Sequence, residues 1–150
     1  MRNTILTIFV LLFLSTNLYA DNGLVSVPSD HDVRTTADRL ENALKAKGMK
    51  IFMRVNHSQG AKDVGKALRP TELIVFGNPK VGTPLMQCNQ TAGIDLPQKA
   101  LIWQDAVGKV WFTYNDPNYL ADRHALDKCS PVIQKVGKAL AAFARSATQP

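Results

Sequence analysis

Five side chains of this sequence are of types that ligate soft transition metals: His57, Met86, Cys88, His124 and Cys129. Imidazole nitrogen, thioether sulfur and thiolate sulfur are donors that copper and haem iron accept. No two of these residues are spaced as HxxxH, and the CxxCH sequence that attaches c-type haem is absent. A copper- or haem-binding redox protein that uses His57 with Met86 or a thiol is therefore an alternative hypothesis. It requires the fold to bring these residues together, because they are not close in sequence.

Sequence motifs of common enzymes are missing as well. The chain has no GxSxG, no HExxH and no pair of carboxylates at a spacing typical of catalytic acid–base pairs. Asp95, Asp105 and Asp116 stand at positions typical of turns and helix caps. An unidentified enzyme stays open as an alternative, but no catalytic residue and no cofactor are indicated, and binding is the preferred interpretation.

The stretch FGNPKVGTPLMQCNQTAGIDLP, residues 76–97, holds three glycines and three prolines and could shape a binding surface. Residues 77–79 predict a turn after a buried strand. Thr83 and Pro84 predict the N-cap and first residue of a short helix from Leu85, whose free N–H groups would favour a carboxylate, phosphate or similar anion. The ligand-binding residues predicted in this stretch are Asn78, Thr83 and Met86. The alternative is that the glycines and prolines only steer a connection across the fold.

Two further residues are predicted to complete a pocket with this stretch. The alternation in MKIFMRVNH, from Met49 to His57, predicts a half-buried strand that ends with His57 in its buried-facing row. An imidazole there could contact a ligand, carry a proton or serve the structure. Tyr114, on a predicted hairpin with Trp111, could supply an aromatic wall. We expect a ligand-binding site between residues 77–86, His57 and the Trp111/Tyr114 face.

Residues 1–20 have the pattern of a secretory signal peptide that is removed from the mature protein. Arg2 precedes an apolar run from Ile5 to Leu14, and Ala20 supplies a small residue at the predicted cleavage site. The run is too short for a membrane span, and no other apolar stretch approaches that length. We therefore expect a periplasmic or secreted protein of one domain, residues 21–150, without stable membrane insertion.

The charge of the chain does not indicate a nucleic-acid binder. The formal net charge is +6, of which Arg2 leaves with the signal peptide, and the Lys and Arg residues are scattered rather than gathered in a tract. A solvated surface is the expected explanation, and attraction to anionic lipid or to an acidic partner is the alternative. The predicted partner is a small-molecule or anionic ligand, not a nucleic acid.

The two cysteines, Cys88 and Cys129, form an even pair in a chain that is predicted to enter an oxidising compartment. A disulfide between them is the default expectation. Two alternatives stay open, namely inert separate thiols and a pair with redox or metal chemistry.

The predicted elements follow the order β-α-β-α-β-α-β-β-α-α. Thr35 or Thr36 is expected to cap the first helix, and residues 59–68 predict a weak second helix. Residues 100–104 and 110–114 predict a hairpin. His124 is expected at the end of a short helix, where imidazole interacts favourably with the helix dipole. This order favours an α+β two-layer sandwich with helices on one side of a largely antiparallel sheet.

Four segments carry a resemblance to a known family: FGNPKVGTPLMQ, the LP that follows it, the hairpin WQDAVGKVWFTY, and NDPNYLADRH. With these elements in order over residues 26–145, the chain resembles the domain of unknown function family numbered 302. The resemblance implies a small TBP-like α+β sandwich that is often a homodimer, and it implies no activity. The family pattern does not call for cysteines at Cys88 and Cys129, which would be a local addition suited to export.

Overall fold

The computed structural model describes residues 22–150 of the chain. The predicted signal peptide, residues 1–20, lies outside the described residues. Among the helices of residues 22–150, none is long and apolar enough to cross a membrane.

A single antiparallel sheet of five strands organises the described part of the chain, in the spatial order β1-β5-β4-β3-β2. The strands are β1 (Leu24–Ser29), β2 (Lys50–Asn56), β3 (Thr71–Gly77), β4 (Gln98–Gln104) and β5 (Val110–Asn115). β4 and β5 form the predicted hairpin, in which Trp103 stands opposite Trp111. The predicted order of elements and the mixed α+β class are confirmed.

The helices are α1 (Val33–Ala46), α2 (His57–Asp63), α3 (Pro79–Cys88), α4 (Pro117–Arg123) and α5 (Ser130–Thr148). Two short 3₁₀ turns, Gln90–Ile94 and Asp127–Cys129, follow α3 and α4. The two longest helices, α1 and α5, pack together over one face of the sheet and form one layer of the sandwich.

The core lies between these two helices and one face of the sheet. The apolar face of α1 contributes Leu40 and Leu44, which are fully buried. From the sheet, Phe76 meets Phe143 of α5 edge to face, with ring centroids 6.1 Å apart. Burial of such side chains stabilises the fold by about 1.5–3 kcal/mol each, so the packing of α1 and α5 fixes the layer against which the other elements rest.

The first helix begins earlier than the sequence predicts. Its N-cap is Asp32, whose Oδ1 accepts a hydrogen bond from the Thr35 N–H at 2.7 Å. Thr36 lies fully buried, and its hydroxyl donates to the Asp32 carbonyl at 2.7 Å. A cap at Thr35 or Thr36 is therefore wrong, because the more strongly accepting carboxylate stands one turn before them.

The alternation predicted for the second strand breaks in its middle. The pairing of β2 with β3 shifts register between Ile51 and Met53, so that Ile51 lies opposite Phe76 and Met53 opposite Val75. A bulge of one residue reverses which side chains face the helices. As a result, Met53 is 54% exposed, and Arg54 points toward α1 and binds Asp38. The buried-facing row predicted to run through Met53 to His57 is therefore wrong at both of these residues, which are exposed.

Candidate functional site

A cavity of about 790 Å³ opens between α3 and α5, and we call it the α3/α5 cavity. The end of α1 closes one side, and the ends of β3 and β4 form the floor. Its lining is mostly apolar and includes Phe52, Phe76, Val81, Leu85, Met86, Leu96, Val136, Leu140 and Phe143. Its volume lies within the range of roughly 300–1,000 Å³ that is usual for small-molecule sites.

The glycine- and proline-rich stretch builds one wall of this cavity. Asn78 is the N-cap of α3, and its Oδ1 accepts a hydrogen bond from the Lys80 N–H at 3.0 Å. The predicted helix start at Thr83 is wrong, because Asn78 and Pro79 give the same cap-and-proline signal five residues earlier and Pro84 lies inside the helix. The backbone amides that follow Pro84 are therefore part of α3 rather than its free N-terminus.

Among the described residues that line the cavity, Gln98 in the floor is the one polar residue that is buried, at 9% exposure. Within residues 22–150, its side-chain amide makes no hydrogen bond with another residue. The residue opposite Gln98 in the paired strand is Phe76, whose ring is apolar and offers no partner. Gln98 is therefore positioned to hydrogen-bond a molecule inside the cavity.

The charged side chains in the described lining of the cavity are all positive. Among the described residues that line the cavity, the charged side chains are Lys47, at the end of α1, and Lys135, in the first half of α5. Both residues are exposed, so their ammonium groups reach water while their stems cover the apolar rim.

The structure brings together three of the predicted ligand-binding residues. Asn78, Thr83 and Met86 all line the α3/α5 cavity. The Oδ1 atom of Asn78 is already used to cap α3, whereas its Nδ2 and the side chains of Thr83 and Met86 make no hydrogen bond with another residue of the described chain. Whether these residues bind a ligand stays a prediction.

His57 is not placed with them. β2 and β3 are antiparallel, and Asn56 at the end of β2 pairs with Glu72 at the start of β3. His57, the first residue of α2, therefore lies at one end of these strands, while α3 follows β3 at the other end. Its side chain is exposed. The antiparallel register, which the sequence pattern does not reveal, separates His57 from Met86.

Tyr114 is also outside the cavity. It lies on β5 among the core side chains, where its ring contacts Phe112 with centroids 6.0 Å apart. Burial, together with the charge of Asp116, raises the pKa of the Tyr114 hydroxyl. β4 stands between β5 and the floor residue Phe76, so the aromatic wall predicted from Tyr114 does not face the cavity.

Beyond the cavity, the C-terminal end of α3 is held by a disulfide. Cys88, the last residue of α3, is bonded to Cys129, with their Cα atoms 6.5 Å apart. The structure therefore agrees with the predicted pairing, and neither sulfur is available as a thiol ligand. In residues 22–150, no group of three or more His, Cys, Asp and Glu side chains is arranged to hold a metal ion.

A polar cluster around His124 lies next to this disulfide, and we call it the His124 cluster. The imidazole is buried, with Nε2 2.6 Å from Asp95 Oδ2 and Nδ1 3.0 Å from Thr91 Oγ1. Asn89 Nδ2 donates to the His124 carbonyl at 2.8 Å. The cluster ties the turn after α3 to the end of α4. The sequence places His124 correctly after α4, but no local signal indicates partners that lie 29–35 residues away.

Comparisons with known proteins agree with this fold. The family described as "Domain of unknown function DUF302" matches residues 25–143. A solved structure, "Crystal structure of uncharacterized conserved protein DUF302 from Bacillus stearothermophilus", has a TM-score of 0.76 at 20% identity and covers 84% of this chain and 98% of its own.

Curated relatives also match, over part of their length. "Fluoride-specific ion channel FluC 1" of Brucella suis is 53% identical over 115 residues, which are 77% of this chain and 45% of the relative. The protein of the same name in Brucella abortus is 53% identical over 43% of its length. The chain spans less than half the length of the curated relatives that it matches. On the extent of the family match, the chain belongs to the DUF302 family.

Proposed function

We propose that this chain is an exported binding module that holds a small, largely apolar molecule in the α3/α5 cavity. The observation that carries the proposal is the cavity itself, about 790 Å³ of apolar-lined space beside a closely packed core. Apolar surface left in contact with water forgoes about 25 cal/mol per Å² of stabilisation, and an occupant would recover that free energy.

The position of Gln98 supports a ligand with at least one polar atom. Binding sites for small molecules combine an apolar lining with a few placed hydrogen-bonding groups, which fix the orientation of the ligand. The Gln98 amide offers both a donor and an acceptor in the floor. A ligand with a hydroxyl, carbonyl or amide at this depth would satisfy the amide, whereas a plain hydrocarbon would leave it without a partner.

Export is the second part of the proposal. It rests on the signal-peptide pattern of residues 1–20 and is supported by the pairing of Cys88 with Cys129, since disulfides persist in oxidising compartments. The mass of protein from a periplasmic fraction should correspond to a chain that begins at Asp21. A mass that still includes residues 1–20 would contradict export with cleavage. The homodimer that the family resemblance implies stays a prediction, which light scattering can test on the same sample.

The test of ligand binding uses the uncharged dye Nile red and a variant that fills the cavity. Ala43 lines the cavity from α1 and is half-buried, while its neighbour Asn42 is exposed and lies outside the lining. We expect saturable dye fluorescence with the native chain and at least a roughly tenfold weaker affinity with Ala43→Phe, which is a loss of about 1.4 kcal/mol. Asn42→Phe, the matched control on the same helix, should bind as the native chain does.

A second filling variant, Ala139→Trp on α5, guards against failure of the first to fold. Both variants should keep the native far-ultraviolet circular dichroism. Dye binding that is absent in the native chain, or that folded Ala43→Phe and Ala139→Trp retain unchanged, would contradict a binding role for the cavity.

A further inference from the structure

We infer that the occupant of the α3/α5 cavity is an amphiphile with one alkyl chain and an anionic head group, which lies beside Lys47 and Lys135. This inference rests on the proposed function and adds the chemical class of the ligand. Three observations carry it: the sign of the charges at the rim, their place at one end of the cavity, and the length of the apolar lining along α5.

The rim is complementary to a negative charge. The lining residues of the described chain include Lys47 and Lys135 and no Asp or Glu. Both lysines are exposed, so an anionic head group could pair with them without being removed from water. A cationic head group would meet two like charges and no carboxylate in the lining.

The two lysines lie at the same end of the cavity. α1 and α5 are antiparallel, because the Asp30 N–H before α1 donates to the Thr148 carbonyl at the end of α5 at 2.9 Å, and Arg39 Nη2 farther along α1 donates to the Ser146 carbonyl at 3.2 Å. Lys47 follows Arg39 by eight residues, or about 12 Å along the helix axis. On α5, the position eight residues before Ser146 lies at the same level, and it is about one helical turn from Lys135. The positive charge is therefore concentrated at one mouth.

The apolar space continues from this mouth along α5. The lining residues of that helix run from Lys135 to Ser146, a rise of about 16 Å. Between these ends they are apolar, with the small Ala139 and Ala142 beside the larger Leu140 and Phe143. An alkyl chain laid along this helix, with its acidic end between the lysines, matches both the length and the charge pattern.

The experiment compares three ligands that share one chain: dodecanoate, dodecanol and dodecyltrimethylammonium. Their affinities are measured by displacement of Nile red, below the concentrations at which they form micelles. We expect dodecanoate to bind most tightly and dodecyltrimethylammonium most weakly. Because exposed ion pairs contribute little each, the double variant Lys47→Gln/Lys135→Gln should weaken dodecanoate by about three- to tenfold and leave dodecanol unchanged.

A charge-matched control separates this local effect from the positive charge of the whole protein. Lys62→Gln/Lys66→Gln removes two exposed lysines outside the cavity lining, in and just after α2 at the opposite end of β3 from α3, and should leave the affinity for dodecanoate unchanged. An equal loss in both double variants would overturn the inference, as would equal binding of the three ligands by the native chain.

The outcomes also separate this inference from the proposed function. Tight binding of dodecanol and Nile red without a preference for the anion would contradict the anionic head group and leave the apolar site standing. Failure of every probe to bind would contradict both. Dodecyl phosphate, added as a fourth ligand with the same chain, identifies the head group, because tighter binding than dodecanoate assigns a phosphate and weaker binding assigns a carboxylate.

Discussion

The two ends of α3 have opposite surroundings, although they belong to one helix of ten residues. The N-terminal part, from Pro79 to Met86, faces an apolar cavity of about 790 Å³. At the C-terminal end, Cys88 is bonded to Cys129, and the His124 cluster lies beside a space of only about 10 Å³. One end of the helix is fixed to the body of the protein and the other is left beside open space.

This difference indicates how the chain could hold α3 in position while the α3/α5 cavity beside it stays unfilled by side chains. A wall that faces a cavity loses packing contacts on one side, because the apolar groups there have no partner atoms. The disulfide and the hydrogen bonds of His124 restrain the same helix from its other end. We therefore expect substitutions at the fixed end to lower stability and substitutions in the cavity to lower affinity.

The largest expected effect is at the disulfide. Cys88→Ser/Cys129→Ser removes a link across 41 residues, which the loop-entropy model values at about 4 kcal/mol. The Tm should fall by about 10–15 °C in thermal unfolding followed by circular dichroism. Reduction of the native chain should lower the Tm by a similar amount. A change of less than about 1 kcal/mol would show that other contacts hold this end of α3.

A smaller loss is expected at His124. His124→Leu would leave the Asp95 carboxylate and the Thr91 hydroxyl without the imidazole that bridges them, at a cost of about 2 kcal/mol in urea unfolding. The affinity of the folded variant for Nile red should match that of the native chain. His57→Leu is the matched control, because His57 is exposed at the start of α2, and it should change stability by less than about 0.5 kcal/mol. Equal effects of the two variants would contradict a restraining role for the cluster.

The sequence predicts the architecture well because its signals are local. Alternating strands, cap-and-proline pairs and the hairpin loop each depend on a few neighbouring residues, and together they give the observed order of elements. The stretch of residues 76–97 is likewise recognisable as a shaped segment, and Asn78, Thr83 and Met86 all reach the cavity lining.

The composition of the site is less predictable because it depends on register and on distant pairing. A single extra residue between Ile51 and Met53 reverses the second half of β2, and the antiparallel pairing carries His57 away from α3. In the sequence, nothing distinguishes Gln98 from other polar residues at the start of a strand. The structure shows that it lies in the cavity floor and that its amide has no hydrogen-bond partner among the described residues. The lysines of the rim are likewise indistinguishable in sequence from the other scattered lysines.

The most direct test of the central claim is an NMR titration of the native chain with dodecanol, which follows methyl groups and the side-chain amide of Gln98. We expect shifts for Val81, Leu140 and the Gln98 amide, which line the α3/α5 cavity, and none for Leu120 and Leu126 near the His124 cluster. Shifts confined to Leu73 and Leu101, on strands outside the lining, or no shifts at all, would contradict a ligand site between α3 and α5.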